Sequence, residues 1–402
     1  MATASTSISV KPMKHLYLLF VSSSIISYLY ALITNRLNGD FLGVEVKLSF
    51  ILLTLNLLFS ILPFFITWKI YLYLEKKQVK RKISIPINFF RLFLLFILIW
   101  NIIVTIVYGV NILAADPYQA PALVKPIIQI MNRFNYAYGV FLYVLITPKK
   151  DKIVIIFVIL LLLLAYLRAG LGIFMYLGML FYIKYYEEIS ILFRKYILII
   201  LPFIFISSTI INELYRFRDK IRHQEYTETV PDPIFGKFFG RLSSFSDSAF
   251  ILQNIPYFLT NSLQLDQFYF QKTGLGGVIS QDFMPSNRPE KILFNYYYSD
   301  RNDNVAYMAG TQGILYMSLM KSVSTFFLNL FTIGIYIAST FYFFRLLRFD
   351  YANELAFMLL LYVLMSGVSN EYAFLVFSIF VFVVLFLMVN VIKEIENSKI
   401  KH

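Results

Sequence analysis

Two arginines stand at positions in this sequence where a charged side chain could do chemistry. In LLLLLAYLRAGLGIFMYLGML (residues 160–180), Arg168 is the one charged side chain. An ionised guanidinium inside an apolar span costs roughly 2.5 to 3.5 kcal/mol. Arg241 lies in GKFFGRLSSFSDSAF, within a long polar segment. A guanidinium binds phosphate oxygens bidentately and stays charged when desolvated, so Arg168 and Arg241 predict a pyrophosphate site.

A second group of arginines is predicted to bind substrate. Arg133 falls in the apolar context of IMNRFNYAYG, where ionisable residues point to function by default, although it can also join two helices. The arginines outside that helix have an alternative role that involves no substrate: they could contact lipid phosphates or pair with local acids. The remaining members of this group are Arg216, Arg218, Arg222, Arg288 and Arg301.

Four acidic residues are candidates for a general base, which must lie near the hydroxyl that it activates. Asp247 follows Arg241, and Glu371 occurs in SGVSNEY, at the predicted turn of the last helical hairpin. Asp282 and Asp303 are weaker candidates, and each of the four can equally be a solvated loop acid. Asp247 and Glu371 are therefore the predicted catalytic acids.

The sequence predicts no metal site and no cofactor. It has no cysteine, and His223 is the only histidine near the polar segment, so thiolate and multi-histidine metal sites are excluded. No P-loop occurs, and no cytoplasmic loop is large enough for a nucleotide-sugar domain. The predicted substrate is therefore met on the outer side of the membrane.

Apolar helices must position these side chains. The 402-residue chain is 59% hydrophobic and 15% charged, with a mean hydropathy of +0.68. Successive apolar stretches reach the roughly 20 residues that cross a bilayer. The sequence predicts an all-α polytopic membrane protein, one integral domain over 1–402 with about ten spans: 15–34, 48–68, 90–112, 126–146, 153–167, 170–183, 195–212, 321–344, 354–367 and 372–392.

The basic residues predict the orientation. Twenty of them fall in the termini and loops on one side, against three, Arg36, Lys47 and Arg168, in short loops on the other. The positive-inside rule places the twenty, and both termini, in the cytoplasm. One long helix over 153–183 would invert everything downstream, so we expect a hairpin with Arg168 at its outer tip and a turn at Gly170 and Gly172.

The segment 213–309 is predicted to be a large extracytoplasmic loop. It holds ten basic and eleven acidic residues, so the net charge of +13 belongs to the cytoplasmic loops and gives no reason to expect nucleic-acid binding. SFSDSAFILQNIPYFLTNSLQL could include an amphipathic helix in the membrane interface. KTGLGG and PSNRPE are typical of turns.

The architecture and two motifs resemble the Wzy-type O-antigen or polysaccharide repeat-unit polymerases. YLRAGLGIFMYLG is similar to the Ser-Arg-Gly-like hairpin tip of that family, and GRLSSFSDSAFILQN to its arginine-bearing loop. AYMAGTQGILYMSL is similar to the Gly-rich return into a helix. Outer-side aromatics such as NYYYSD fit sugar stacking or an interfacial belt equally well.

The resemblance implies a metal-independent membrane glycosyltransferase of the GT-C type in the bacterial inner membrane. Such an enzyme transfers a growing glycan en bloc from undecaprenyl pyrophosphate to a new lipid-linked repeat unit, without a cofactor, and can work with a chain-length regulator protein. Arg168 and Arg241 would hold the donor pyrophosphate, and Asp247 or Glu371 would deprotonate the acceptor hydroxyl.

Three alternatives stay open. An O-antigen ligase shares the hairpin and the large loop, but a ligase is expected to carry a histidine in the far part of the loop, and none occurs between 224 and 401. A lipid-linked oligosaccharide flippase is expected to bury charges along a central path, whereas these charges concentrate in the outer segment. The third alternative is a membrane-anchored scaffold that catalyses no reaction.

Overall fold

The structure is a computed structural model. It describes residues 10–77, 83, 85–112, 118–168, 170, 172–196, 209–210, 212–213, 216, 220, 233–279, 283–296, 307–347 and 349–400, apart from the side chains of 233 and 392–400. In these residues the structure is helical, and one isolated bridge pairs Arg36 with Glu45. The helices are α1 (Lys11–Thr34), α2 (Phe50–Glu75), α3 (Ile87–Tyr108), α4 (Lys125–Met131), α5 (Tyr136–Ile146), α6 (Ile153–Leu167), α7 (Gly172–Lys184), α8 (186–196), α9 (Phe239–Arg241), α10 (Phe245–Gln253), α11 (Ile255–Ser262), α12 (Tyr269–Val278), α13 (Pro289–Asn295), α14 (Gly310–Lys321), α15 (Val323–Leu346), α16 (Ala352–Ser366) and α17 (Ser369–Ile400).

Five of these helices are long and apolar enough to cross a membrane: α1, α2, α3, α15 and the part of α17 up to Val391. Four shorter apolar helices, α5, α6, α7 and α16, accompany them. α2 exposes Ile51 and Leu58 while it buries Leu53 and Asn56, because its outward face meets lipid rather than water. The chain is an all-α, membrane-embedded protein.

Local signals fix several helix boundaries. The Ser49 side chain accepts a hydrogen bond from the Leu52 amide at the start of α2, and the Ser322 side chain caps α15 in the same way. Gly109 and Gly367 end α3 and α16 with φ values of 68° and 60°. Glycine adopts this left-handed conformation without the steric cost of a Cβ atom, so these positions follow from the sequence.

One predicted span differs from the structure, and another is not tested by it. The fourth predicted span is broken, because the Asn135 side chain accepts a hydrogen bond from the Ala137 amide and begins a new helix there. α4 and α5 are therefore separate, and Arg133 lies in the break. The predicted span 195–212 falls mainly on positions outside the described residues.

The predicted hairpin at Arg168 is present as two helices, α6 and α7, that contact each other. The segment 239–295 also forms short helices that pack on the long ones. α10 is buried along Phe245–Ile251, and the Asn56 side chain of α2 donates to the Phe245 carbonyl at 2.9 Å. α10 is therefore packed inside the bundle, whereas α11 of the same stretch exposes Ile255 and Leu259. KTGLGG is not a turn but lies inside α12.

Contacts between helix termini sort them into two ends of the bundle. At one end, Arg168 after α6 reaches Thr105 near the end of α3 and Tyr136 at the start of α5. At the opposite end, Arg91 of α3 pairs with Asp151 before α6 at 3.6 Å. We call the first of these the arginine end, because Arg133, Arg168, Arg241 and Arg288 all lie there.

Candidate functional site

The Arg168 guanidinium is buried, with 8% of the residue exposed. Its Nε donates to Thr105 Oγ1 at 2.9 Å, and Nη2 donates to Asn101 Oδ1 at 2.8 Å. Nη1 donates to the Tyr136 hydroxyl at 3.2 Å, and the guanidinium also lies over the Tyr136 ring. Asn101 and Thr105 are four residues apart and so share one face of α3. The side chain therefore packs against α3 instead of projecting from the hairpin tip.

All of these Arg168 partners are neutral. Within the described part of the chain, no carboxylate forms an ion pair with Arg168. A buried charge without a counter-ion costs several kcal/mol even when its hydrogen bonds are satisfied. This arrangement favours an anion, which would supply the missing negative charge.

Arg241 lies in a different environment, held by a carboxylate. Its Nε donates to Asp40 Oδ1 at 2.7 Å, and its Nη2 lies 2.5 Å from the same oxygen. Lys237 Nζ lies 3.8 Å from Asp40 Oδ1 and donates to the Gly39 carbonyl at 2.9 Å. Two cations thus share one carboxylate, and Arg241, Lys237 and Asp40 together are called the Arg241 group below.

Two glycines bring this group together. Gly39 has a φ of +69°, and a Cβ atom added to Gly240 would lie 2.2 Å from the Gly39 nitrogen. Only the absence of both side chains lets the two backbones meet at this distance. The contact joins the α1–α2 connection to α9 and sets Asp40 beside Arg241.

Asp247 lies on α10 behind this group and is 5% exposed. Burial raises the pKa of the Asp247 carboxyl well above its usual range, and the negative charge of Asp40 raises it further. Arg241 and Lys237 oppose this shift. The neutral, proton-bearing form is favoured by burial, so Asp247 is better suited to donate a hydrogen bond than to accept a proton.

Glu371 lies in the first turn of α17, where the Tyr138 hydroxyl donates to its Oε2 at 3.3 Å. It is half-buried. Glu371 is therefore the more accessible of the two predicted acids, since Asp247 is 5% exposed.

Arg133 and Arg288 are brought together although they belong to distant segments. Both line a cavity of about 160 Å³ with Asn370 of α17 and with Gly276 and Gly277 of α12. Arg133 Nη1 donates to the Ile279 carbonyl at 3.2 Å. Arg288 donates from Nη1 to Asn370 Oδ1 and from Nε to the Pro285 carbonyl, both at 3.3 Å.

Of the remaining predicted residues, Arg216 is the one that the structure describes. Arg216 Nη1 lies 2.6 Å from Glu213 Oε1, a local ion pair of the kind that the alternative role without a substrate predicts. The other predicted residues lie outside the described part of the chain: Arg218, Arg222, Arg301, Asp282 and Asp303.

Several site residues were missed by sequence reasoning. Asn101 and Thr105 carry a usable signal, because two polar residues four apart in an apolar helix mark a polar face. Asp40 and Lys237 carry none, since they meet only through the contact between Gly39 and Gly240. Tyr138 and Asn370 look like ordinary residues of a chain with 30 tyrosines and many polar turns.

Comparison with known proteins adds no relative: no protein-family model, curated protein or solved structure matches the chain.

Proposed function

We propose that this chain is a membrane-embedded glycosyltransferase of the GT-C type that polymerises lipid-linked oligosaccharide repeat units. Its donor and acceptor would be glycans on undecaprenyl pyrophosphate, met at the outer face of the bacterial inner membrane. The arginine end of the bundle would face outward, as the distribution of basic residues predicts.

The observation that carries the proposal is the uncompensated charge of Arg168. This guanidinium is buried on neutral partners, Asn101, Thr105 and Tyr136, at the end of short helices. Removing a charge from water without a counter-ion is costly, so such a residue is retained more readily if a ligand supplies the anion. A lipid diphosphate is an anion that reaches this depth while its lipid tail stays in the bilayer.

The proposed reaction assigns a role to each group at the arginine end. The acceptor hydroxyl oxygen attacks the anomeric carbon of the donor glycan. The bond from that carbon to the diphosphate oxygen breaks, and the leaving lipid diphosphate keeps the electron pair. Arg168 and the Arg241 group would stabilise this developing negative charge electrostatically. The cleaved glycosyl–diphosphate bond supplies the energy, so no nucleotide is required.

Glu371 is the proposed acceptor of the hydroxyl proton. It is half-buried and accepts a hydrogen bond from the Tyr138 hydroxyl, whereas Asp247 is only 5% exposed. A base must be ionised and within reach of the hydroxyl, and Glu371 meets the condition of access better. Asp247 would instead orient the Arg241 group as a neutral donor.

The test is deletion of the gene in its host, with surface glycans resolved by length. A polymerase predicts that the ladder collapses to a core bearing a single repeat. Loss of every repeat would point to a ligase or a flippase, and an unchanged ladder would refute all three.

Complementation identifies the site. Wild-type chain and Arg36→Gln, which changes an exposed arginine at the same end, are expected to restore the ladder. Arg168→Gln and Arg241→Gln are expected to leave it short at equal protein level. Full ladders from both variants would remove the site assignment while leaving the polymerase proposal to the deletion result.

A further inference from the structure

The cavity between Arg133 and Arg288 is built from four separate parts of the chain. Arg133 comes from the break between α4 and α5, Arg288 from the residue before α13, and Asn370 from the first turn of α17. Gly276 and Gly277 of α12 form another part of the wall. The two guanidinium-bearing side chains therefore approach one space from different elements.

The side chains that line this cavity carry a net positive charge. Its lining residues include two arginines and no acidic residue, and no ion pair involves Arg133 or Arg288 within the described ranges. Their hydrogen bonds go to two backbone carbonyls and the Asn370 amide oxygen. Arg133 Nε is buried and has no hydrogen-bond partner among the described residues. Buried polar atoms are rarely left unsatisfied unless a ligand or water completes them.

The glycines explain how the space is formed. A Cβ atom on Gly277 would lie 2.6 Å from the Ala373 carbonyl oxygen, and one on Gly276 would lie 2.6 Å from Met284 Sδ. Side chains at these positions would push α12 away from α17 or fill the gap. This is a specific use for the GLGG stretch, which the sequence alone presents as a turn.

Size and geometry limit the ligand. The volume of about 160 Å³ is below the roughly 300 to 1,000 Å³ of sites for whole drug-sized ligands, so a glycan does not fit inside. A phosphate or diphosphate group does, and it matches the fork of two guanidinium groups. The start of α17 does not add free amides, because the Ser369 amide and hydroxyl already donate to the buried Glu290 carboxylate; the two guanidinium groups and Asn370 are the polar groups that the cavity offers.

We propose that this cavity binds the phosphate or diphosphate head of a second substrate molecule, separate from the anion at Arg168. Glu371, the proposed base, accepts from the Tyr138 hydroxyl and directly follows Asn370, which lines this cavity. The assignment to a second substrate rests on the proposed function; the anion site itself depends only on Arg133, Arg288 and Asn370.

Binding is tested on the purified full-length chain in nanodiscs of phosphatidylcholine. Inorganic phosphate and pyrophosphate are titrated by calorimetry at low ionic strength. In a second arm, nanodiscs contain phosphatidic acid, and the lipid retained through detergent extraction is counted by native mass spectrometry. If phosphatidic acid is retained saturably and more tightly than free pyrophosphate binds, the ligand is a lipid-borne phosphate. If free pyrophosphate binds more tightly than phosphatidic acid is retained, the ligand is a free phosphate.

The variants separate this cavity from Arg168. Arg133→Gln with Arg288→Gln is expected to lower the affinity of one of the two anion sites for pyrophosphate or phosphatidic acid at least about 100-fold, which is about 2.8 kcal/mol at 1.4 kcal/mol per tenfold, and to leave binding at Arg168 unchanged. Arg288→Lys keeps the positive charge but loses the planar guanidinium that binds two phosphate oxygens at once, and it is expected to lower the affinity about 10-fold. The matched control Arg36→Gln is expected to bind like the wild type.

Two results would overturn the proposal. One is the absence of saturable binding of all three probes to the wild type. The other is equal affinity of the wild type, Arg288→Lys and the double glutamine variant. Arg288→Lys keeps the test decisive if the double variant does not fold. If the glycan ladder in the host excludes a polymerase but pyrophosphate binding depends on Arg288, then the proposed function fails and the anion site stands.

Discussion

Replacing Arg168 by methionine distinguishes a ligand-binding arginine from a structural one. The change removes the buried charge and leaves Asn101 Oδ1 and the Tyr136 hydroxyl without their guanidinium partner. The Asn101 amide still donates to the Ile97 carbonyl at 2.9 Å, and Thr105 still donates to the Val110 carbonyl at 3.1 Å. Of the three polar side chains that bind Arg168, only the Asn101 Oδ1 atom and the Tyr136 hydroxyl therefore lose the one hydrogen bond that the structure shows for them. Thr105 keeps its bond to Val110.

The free energies nearly offset one another in the absence of substrate. Each lost bond to the charged group costs about 1.5 to 3 kcal/mol. Removing a buried guanidinium that has no counter-ion recovers a desolvation penalty of several kcal/mol. The expected net change in the free energy of unfolding is within about 2 kcal/mol, a shift of less than about 5 °C in the melting temperature.

Function should change far more than stability. If Arg168 stabilises the charge on a leaving diphosphate, its loss is expected to slow transfer by about 10²- to 10³-fold, as removal of one oxyanion donor does. The assays are the melting temperature of the purified chain in detergent and the glycan ladder in the host, with Arg36→Met as the matched control. A large loss of stability with a normal ladder at restored protein level would refute the reasoning, because Arg168 would then be a structural hydrogen-bond donor.

Three further predictions address the rest of the arginine end. Gly240→Ala is expected to destabilise the fold by about 1 to 3 kcal/mol and shorten the ladder, because its Cβ would overlap the Gly39 backbone; Gly178→Ala, with open space around its Cβ, should do neither. The stability of the wild type should fall as the pH rises from about 4, the usual pKa of an unfolded aspartate, towards the raised pKa of Asp247. The reason is that the folded state holds a proton in this range that the unfolded state has lost. Asp247→Asn should remove this dependence of the melting temperature on pH. Glu371→Gln should slow transfer by about 10²- to 10⁴-fold at unchanged protein level, measured by ladder length.

Each of these has an outcome that contradicts it. Equal melting temperatures for Gly240→Ala and Gly178→Ala would mean that the backbone contact at Gly39 is not tight. The same pH slope in the wild type and in Asp247→Asn would assign the slope to other groups. A normal ladder from Glu371→Gln would exclude Glu371 as the base and return Asp247 to consideration.

The sequence by itself determined the class of protein and the approximate positions of its long apolar helices. Long apolar runs require backbone hydrogen bonds to be satisfied within the segment, which leaves helices as the solution in a bilayer. Ser49, Gly109 and Gly367 then mark helix ends through capping and left-handed geometry. The division of residues 153–183 into two helices near Arg168 also followed from the sequence, because a single helix over this range would be too long for the membrane.

Only the tertiary structure decided which charged side chains meet. Asp40 and Arg241 are 201 residues apart and pair because two glycines let their backbones touch, and Arg133 meets Arg288 only after α12 packs on α17. Hydropathy does not encode these contacts, since lipid-facing and buried faces of a membrane helix are both apolar. The packing of small residues, not the pattern of apolar ones, sets where the guanidinium groups converge.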